Sequence, residues 1–372
     1  MTPLRRAILL FSVTALLPLF ATGCPSGADS PQGSGSTGGA KRIIILTNGD
    51  DPFWDACEAG AMKAETELEL AKQGYSVTFD RADFTDKGQV DKIKQYALQK
   101  DLVAFGISVY NPDSPAVANE LKALQKRGVK VIAIDGDMNR EKFRDARYAY
   151  LGTDNIIAGR ELGRAARAVS PTGANYVFFV GNTGSANAIA RMSGFSEGIG
   201  TEAEKFQMIE RLEDRGDRSI ARKNVQDALD RHPETDMLVG IWAYNTPQQI
   251  AVVKERKLRE KTKIMCFDAA PASIVGMKEG NLDAMVVQNP YQMGYLGVQL
   301  MKALVEDDKE FVQKLYPEYS QTGTGDLYRT ELRVVVPNAE SPVKKEAFEA
   351  DTVYMTLEEF EAWLKERGLT TS

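Results

Sequence analysis

The stretch KRIIILTNGDDPFW, Lys41–Trp54, decides how the chain folds. Ile43–Leu46 is an apolar, mostly β-branched run, the pattern of a strand covered on both faces. Thr47–Pro52 is polar and contains Gly49 and Pro52, so it reads as a turn. Phe53-Trp54 then opens a helix. Trp54, Cys57, Ala61, Ala64, Leu68 and Ala71 recur at alternating intervals of three and four, a stripe that faces a core. Strand, polar loop and helix in this order put the loop beyond the carboxyl end of a strand, where open parallel sheets hold their ligands. The loop carries Asp50 and Asp51 and leads into two aromatic rings. A plainer reading, that Asp50, Asp51 and Pro52 only start the helix, stands beside it on this stretch alone.

The same alternation runs outward along the chain. Strands are expected at Tyr75–Phe79, Leu102–Ile107 and Val129–Ile134. A helix over Lys87–Gln99, with Asp86 as its N-cap, and one opened by Ser114-Pro115 lie between them. The pattern restarts near Tyr148. Asp154 or Asn155 starts a helix through Ala168, and strands follow at Tyr176–Val180, Phe206–Leu212, Met237–Ile241, Lys263–Phe267 and Asp283–Gln288. Helices are expected at Ala186–Gly198, Ser219–Asp230, Ala272–Glu279 and Tyr291–Val305. A last strand, Leu332–Val336, precedes a helix from Thr356 whose Glu359 completes a capping box. Two βα runs of similar length imply an α/β protein of two similar lobes with parallel sheets.

The 372 residues, 43% of them hydrophobic, suffice for two ordinary cores. A formal charge of −6, dispersed, gives no reason to expect nucleic acid as a partner. At the N-terminus, Arg5-Arg6 precede the apolar run Ala7–Phe20, which is short for a membrane span. Leu19-Phe20-Ala21-Thr22-Gly23-Cys24 resembles a bacterial lipoprotein signal, with Ala21 where Leu is commoner. The resemblance implies a signal peptide over 1–23, cleavage before Cys24, and lipid on the Cys24 thiol and new amino terminus. Residues 24–40, rich in Gly and Ser, read as a flexible tether. Cys57 and Cys266 both fall in apolar patterns and read as packing thiols.

Polar residues collect where strands end: Thr47 and Asp51, Ser108, Asp135, Asn245, Asp268 and Gln288. Coming from both halves of the chain, they point to one cleft. With Arg191, Phe53 and Trp54 they supply what a sugar or polyol needs. Carboxylates accept from hydroxyls, amides donate and accept, a guanidinium donates in a fork, and rings cover apolar sugar faces. Phe53 is the ring expected nearest the ligand, and both rings can line it.

These residues carry a resemblance to the periplasmic sugar-binding proteins of the ribose-binding type, the solute receptors of ABC importers. Asp51-Pro52-Phe53-Trp54 is similar to the family's opening Asn-Pro-Phe-Phe. Asp135, Arg191 in Arg191-Met192-Ser193-Gly194-Phe195, Asn245, Phe267-Asp268 and Gln288 before Asn289-Pro290 follow in the family's order. Gly152-Thr153-Asp154-Asn155 resembles its first interlobe crossing. The resemblance implies two Rossmann-like lobes joined by a three-crossing hinge, the periplasmic binding protein type I fold. The lobes would comprise 41–152 plus 289–332 and 153–288 plus 333–372, with crossings near Leu151–Asp154, Gln288–Tyr291 and Val334–Pro337. It further implies a monosaccharide or polyol ligand, closure on that ligand, an importer permease as partner, a monomeric state, no cofactor and no metal, in the periplasm or another extracytoplasmic space of a bacterium.

Departures from the family bear on the ligand. Asp51 replaces the usual Asn, Ser108 stands where ribose binders carry Asn, and Gly136 where they carry Arg. Asp214-Arg215-Gly216-Asp217 has no aromatic where the second lobe supplies a stacking ring, so Trp242 or Tyr244 is the candidate substitute. These differences point away from ribose itself. Among other functions, an enzyme has little to build on. His232 is the single histidine, and the first loop has no G-x-G-x-x-G and no P-loop Lys-Ser/Thr pair, although Asp135 with Asp268 would suit a glycosidase. A sugar-responsive repressor would need a basic helix-turn-helix where this chain has an export signal. A sensor subunit for a membrane kinase or chemoreceptor fits the sequence as importing does.

Overall fold

The computed structural model describes residues 40–320 and 325–372. The signal at 1–23, Cys24 and the tether up to residue 39 lie outside the described residues. The first half of the chain runs β1 (Lys41–Leu46), α1 (Phe53–Glu67), β2 (Tyr75–Asp80), α2 (Asp86–Ala97), β3 (Leu102–Ile107), α3 (Pro115–Lys126), β4 (Lys130–Ile134), the one-turn α4 (Arg140–Phe143) and β5 (Tyr150–Gly152). Then come α5 (Asn155–Val169), β6 (Ala174–Val180), α6 (Ala186–Ile199), β7 (Phe206–Glu213), α7 (Arg218–Arg231), β8 (Met237–Gly240), α8 (Asn245–Glu255), β9 (Lys263–Phe267), α9 (Pro271–Lys278) and β10 (Ala284–Val287). The chain closes with α10 (Pro290–Glu306), α11 (Lys309–Leu315), β11 (Leu327–Arg329), β12 (Arg333–Val336), β13 (Val353–Thr356) and α12 (Leu357–Glu366).

These strands form two sheets, ordered β11-β5-β4-β3-β1-β2 and β13-β12-β10-β9-β8-β6-β7. All pairings are parallel except β12 against β10. The reason lies in patterns such as β1. Ile43 and Ile45 pack with Trp54, Cys57 and Ala61 on one face, whereas Ile44 and Leu46 pack with Ile93 and Leu121 on the other. A strand alternates its side chains, so a run apolar at every position needs cover on both sides. Helices give it, and each lobe is a three-layer Rossmann-like unit with its own pair of cores.

The chain passes between the sheets after β5, after β10 and after β11. The third passage is Thr330–Leu332 and not Val334–Pro337. Val334, Val335 and Val336 are fully buried in the second sheet, where β12 pairs with β10 and β13. The segment beyond Pro337 is therefore part of a lobe: β13 extends the second sheet, and α12 covers it with the expected capping box at Thr356 and Glu359.

Each lobe is braced by one close helix pair. In α5 and α6, a Cβ on Gly159 would lie 2.2 Å from the Arg191 carbonyl oxygen, and one on Gly194 would lie 2.1 Å from that of Ile156. In α1 and α10, a Cβ on Gly60 would lie 2.0 Å from the Tyr291 carbonyl oxygen. Both α5 and α10 begin directly after a passage between the sheets, so the chain enters each lobe on a tightly packed helix. Two local expectations are corrected. Thr85, not Asp86, caps α2, because the Thr85 hydroxyl accepts the Gly88 N–H at 2.9 Å while Asp86 takes the Ser114 hydroxyl. Helix α8, unmarked by a sharp apolar stripe, begins at Asn245, a position expected in a loop.

Candidate functional site

A cavity of about 440 Å³ lies between the carboxyl ends of the two sheets. Asn48, Asp51, Phe53, Trp54, Phe84 and Asp135 line it from the first lobe, and Asn187, Arg191, Trp242–Tyr244 and Asp268 from the second. Gln288, on the second passage, completes the wall.

The first loop does both jobs considered for it. One Asp51 oxygen accepts the Phe53 N–H at 3.0 Å and starts α1, while the other lies 3.5 Å from Nη2 of Arg218 on the opposite lobe. Burial raises the Asp51 carboxyl, with the Phe53 N–H and Arg218 acting against it. Phe53 and Trp54 meet edge to face, centroids 5.0 Å apart, and both line the cavity.

Arg191 is 2% exposed and held from three sides. Its Nε donates to Asn155 Oδ1 and its Nη1 to the Ile241 carbonyl, both at 2.9 Å, and its guanidinium lies 4.6 Å from the Phe267 ring centroid. Its Nη2 makes no hydrogen bond to the described residues. Asp268 Oδ2 is 3.8 Å from Nη1. Gln288 Nε2 donates to both Asp268 oxygens, at 3.0 and 3.1 Å. Among the described residues, the Asp135 carboxylate accepts only the Ser108 hydroxyl, at 3.4 Å. Burial pushes the Asp135 carboxyl up to about 6; Arg191 pulls it down, Asp268 pushes it up and the Ser108 hydroxyl lowers it. Burial raises Asp268 too, against Arg191 and Gln288.

Four side chains of the lining contain buried polar atoms with no partner among the described residues: Asn48 Oδ1, Asn187 Oδ1, Gln288 Oε1 and Trp242 Nε1. Four of the fifteen such atoms among the described residues gather on this one cavity, a cluster that a polar ligand can satisfy.

Three expected site residues lie elsewhere. Thr47 is fully buried with its hydroxyl on the Gly49 carbonyl at 2.7 Å. Ser108 stands behind Asp135 and reaches the cavity through it. Asn245 is consumed at the start of α8: its Oδ1 takes the Trp242 N–H at 2.9 Å and its Nδ2 donates to Asp214 at 2.7 Å. That turn aims Trp242–Tyr244 inward instead. Gly181 is what lets the indole lie flat, since a Cβ there would come within 2.1 Å of Trp242. Asn187, unread in the sequence, sits one helical turn before Arg191 on α6, so the i, i+4 rule applied to Arg191 finds it. Phe84 and the fully buried Gln89 had no such local signal. Gln89 ties the loops after β1 and β3 together by donating to the Thr47 and Ser108 carbonyls at 3.0 and 2.6 Å.

Residues 42–310 match the family model described as periplasmic binding protein domain. The ribose import binding protein RbsB of Salmonella typhimurium is 26% identical over 280 residues, 74% of this chain and 87% of the relative. The D-allose-binding periplasmic protein of Escherichia coli is 23% identical over 292 residues, 75% and 89% of the two chains. Among solved structures, GanP, a glucose-galactose binding protein from Geobacillus stearothermophilus, superposes with a TM-score of 0.68 at 24% identity, covering 80% of this chain and 97% of its own. A solute binding protein from Burkholderia graminis, crystallised with D-arabinose, gives a TM-score of 0.68 at 21% identity over 84% and 98% of the two chains. With the family model spanning most of both lobes and a cleft built from the ends of both sheets, the chain belongs to the periplasmic binding protein domain family.

Proposed function

We propose that this is the solute receptor of an ABC importer, that its ligand is a monosaccharide or similar polyol, and that Cys24 anchors it by lipid outside the cytoplasm. The observation that carries the reading is the set of unpartnered polar atoms contributed to one cavity by both lobes, beside Asp135 and Arg191 and with Phe53, Trp54, Phe84 and Trp242 as aromatic walls. Hydroxyls on a ring match this set, because each both donates and accepts. Relatives named for ribose import and D-allose binding support the substrate class.

The ligand bridges Asp135 on one lobe and Arg191 on the other, which favours the closed arrangement of the lobes; the three passages between the sheets act as the hinge, and the permease reads closure. Thr153–Asp154, Gln288–Asn289 and Thr330–Leu332 are its moving parts. Binding needs no covalent step, so no catalytic role falls to the carboxylates.

A thermal-shift screen against pentoses, hexoses, deoxysugars, inositols and small non-sugar metabolites tests this. A ligand at about 100 times its Kd stabilises by about 2.7 kcal/mol. A stereoselective rise in Tm with one sugar or polyol is the expected outcome. A flat sugar panel beside a non-sugar hit overturns the substrate class.

A further inference from the structure

The cavity around Asp135 opens into a second, larger compartment of about 1280 Å³, and the two share Asn48, Asp135, Asn187 and Trp242 as common walls. Both lobes, the first interlobe passage and strand β11 frame the second space, through Tyr110, Thr153, Ala186 and Tyr328 among others. The geometry points to a ligand of two rings: a glycoside whose first ring occupies the cavity at Asp135 and Arg191, and whose second, neutral and hydroxylated ring occupies the larger compartment. This inference rests on the sugar-binding reading above.

The chemistry of the walls selects that class. The second compartment contains two cations, and both are engaged by protein carboxylates. Arg140 pairs with Asp326 at 2.5 Å, and Arg329 lies 3.3 Å from Asp351 and 3.6 Å from Glu349. Its carboxylates beyond Asp135 are also taken. Asp137 is paired with Arg147, and Asp154 caps α5 through the Ile156 and Ile157 N–H groups at 3.1 and 3.2 Å. Both cations thus have carboxylate partners within the protein, and the buried atoms of the lining left without a partner among the described residues are neutral. Thr153 is 3% exposed and its hydroxyl has no partner among the described residues, like the Asn48 and Asn187 side-chain carbonyls and the Trp242 indole N–H. Tyr110, Tyr328 and Trp242 add aromatic faces. Neutral donors and acceptors between rings are what a sugar ring pairs with. Trp242 borders both compartments, so a glycosidic bond would pass beside its indole.

Isothermal titration calorimetry on the purified protein decides the matter, with monosaccharides, their methyl glycosides and disaccharides as probes. At least one disaccharide should bind about tenfold or more tightly than its own component sugars. Ala186, exposed at the start of α6 and lining only the second compartment, is the site of the blocking variant. Ala186→Trp should abolish the disaccharide's advantage and leave monosaccharide affinity within about twofold. Tyr328→Ala should reduce the same advantage from the opposite wall. A monosaccharide bound as tightly as every disaccharide, or equal losses for both in Ala186→Trp, overturns the two-ring ligand and leaves the receptor reading intact. No binding by any saccharide overturns both.

Discussion

Asp135 and Asp268 occupy matching places in the two lobes and are held differently. Each follows the last strand but one before a passage between the sheets, β4 and β9, and each has a left-handed backbone, with φ of +64° and +63°. A non-glycine residue pays of order 1 kcal/mol for that conformation, less for Asp, whose short side chain bonds locally. There the likeness stops. Gln288 clasps Asp268 at both oxygens and Arg191 stands beside it, whereas Asp135 has one long contact from Ser108. The same topology thus yields one carboxylate tied to the second passage between the sheets and one with a single long contact.

Breaking Arg191, the cation between them, should have the largest effect. Arg191→Ala leaves two buried carboxylates without their counter-charge, and truncating such a partner costs about 3–5 kcal/mol. Ligand affinity measured by calorimetry should fall by about 100-fold or more, and urea unfolding should show lower stability. Affinity within about threefold of the unaltered protein would place Arg191 outside the site.

The comparison itself is sharpest in Asp135→Asn against Asp268→Asn. At pH 7 the ionised Asp135 costs the ligand-free fold about 2–3 kcal/mol, because its folded pKa of about 6 exceeds the unfolded value near 4. Asp135→Asn should therefore raise ligand-free stability in denaturant while weakening ligand binding by about tenfold or more. Burial raises Asp268 as well, but Asp268→Asn strands one of the contacts that Gln288 makes, so its stability should end about 1–2 kcal/mol below that of Asp135→Asn, with affinity reduced too. Identical behaviour of the two variants would erase the distinction.

A pH series reads the same difference more gently. Asp135 and Asp214 both have carboxyls pushed up to about 6 by burial, so the folded protein binds more protons than the unfolded chain between about pH 4 and 6. Their contribution to ligand-free stability should be fully present below about pH 4, decline as pH rises to 6 and stay level above it. Ligand hydroxyls that donate to an ionised Asp135 reverse the sign for binding. Affinity should rise about tenfold from pH 5 to pH 7, and Asp135→Asn should flatten the rise. The smallest effect belongs to Thr47→Ala, which removes a hydroxyl turned to the Gly49 carbonyl and should leave affinity within about twofold.

Much of the fold was legible in the chain because its signals are local. The Ile43–Leu46 run, the Ser114-Pro115 start of α3, Asp154 ahead of α5 and the Thr356–Glu359 box each act within a turn or a strand. Elements whose cues are weak escaped. Helix α8 has a diffuse apolar face, and β11 and β13 are edge strands of three and four residues whose pairing partners are distant in sequence. Within the site, Asp51, Phe53, Trp54, Asp135, Arg191, Asp268 and Gln288 reach the cavity wall from positions readable at strand ends and on one helix, whereas Thr47, Ser108 and Asn245 look the same in sequence and do not.

By itself the sequence determined the order of strands, loops and helices, their apolar faces and the chemical types that gather at strand ends, because periodicity and capping depend on residues a few positions apart. Only the tertiary structure decided which of those polar groups are left without protein partners, that Trp242 separates two compartments, and that Asp135 is free where Asp268 is clasped. Those outcomes depend on burial and on contacts between residues far apart in the chain, as between Arg191 and Asp268 or Asp51 and Arg218, and such contacts exist only once both lobes have folded and met.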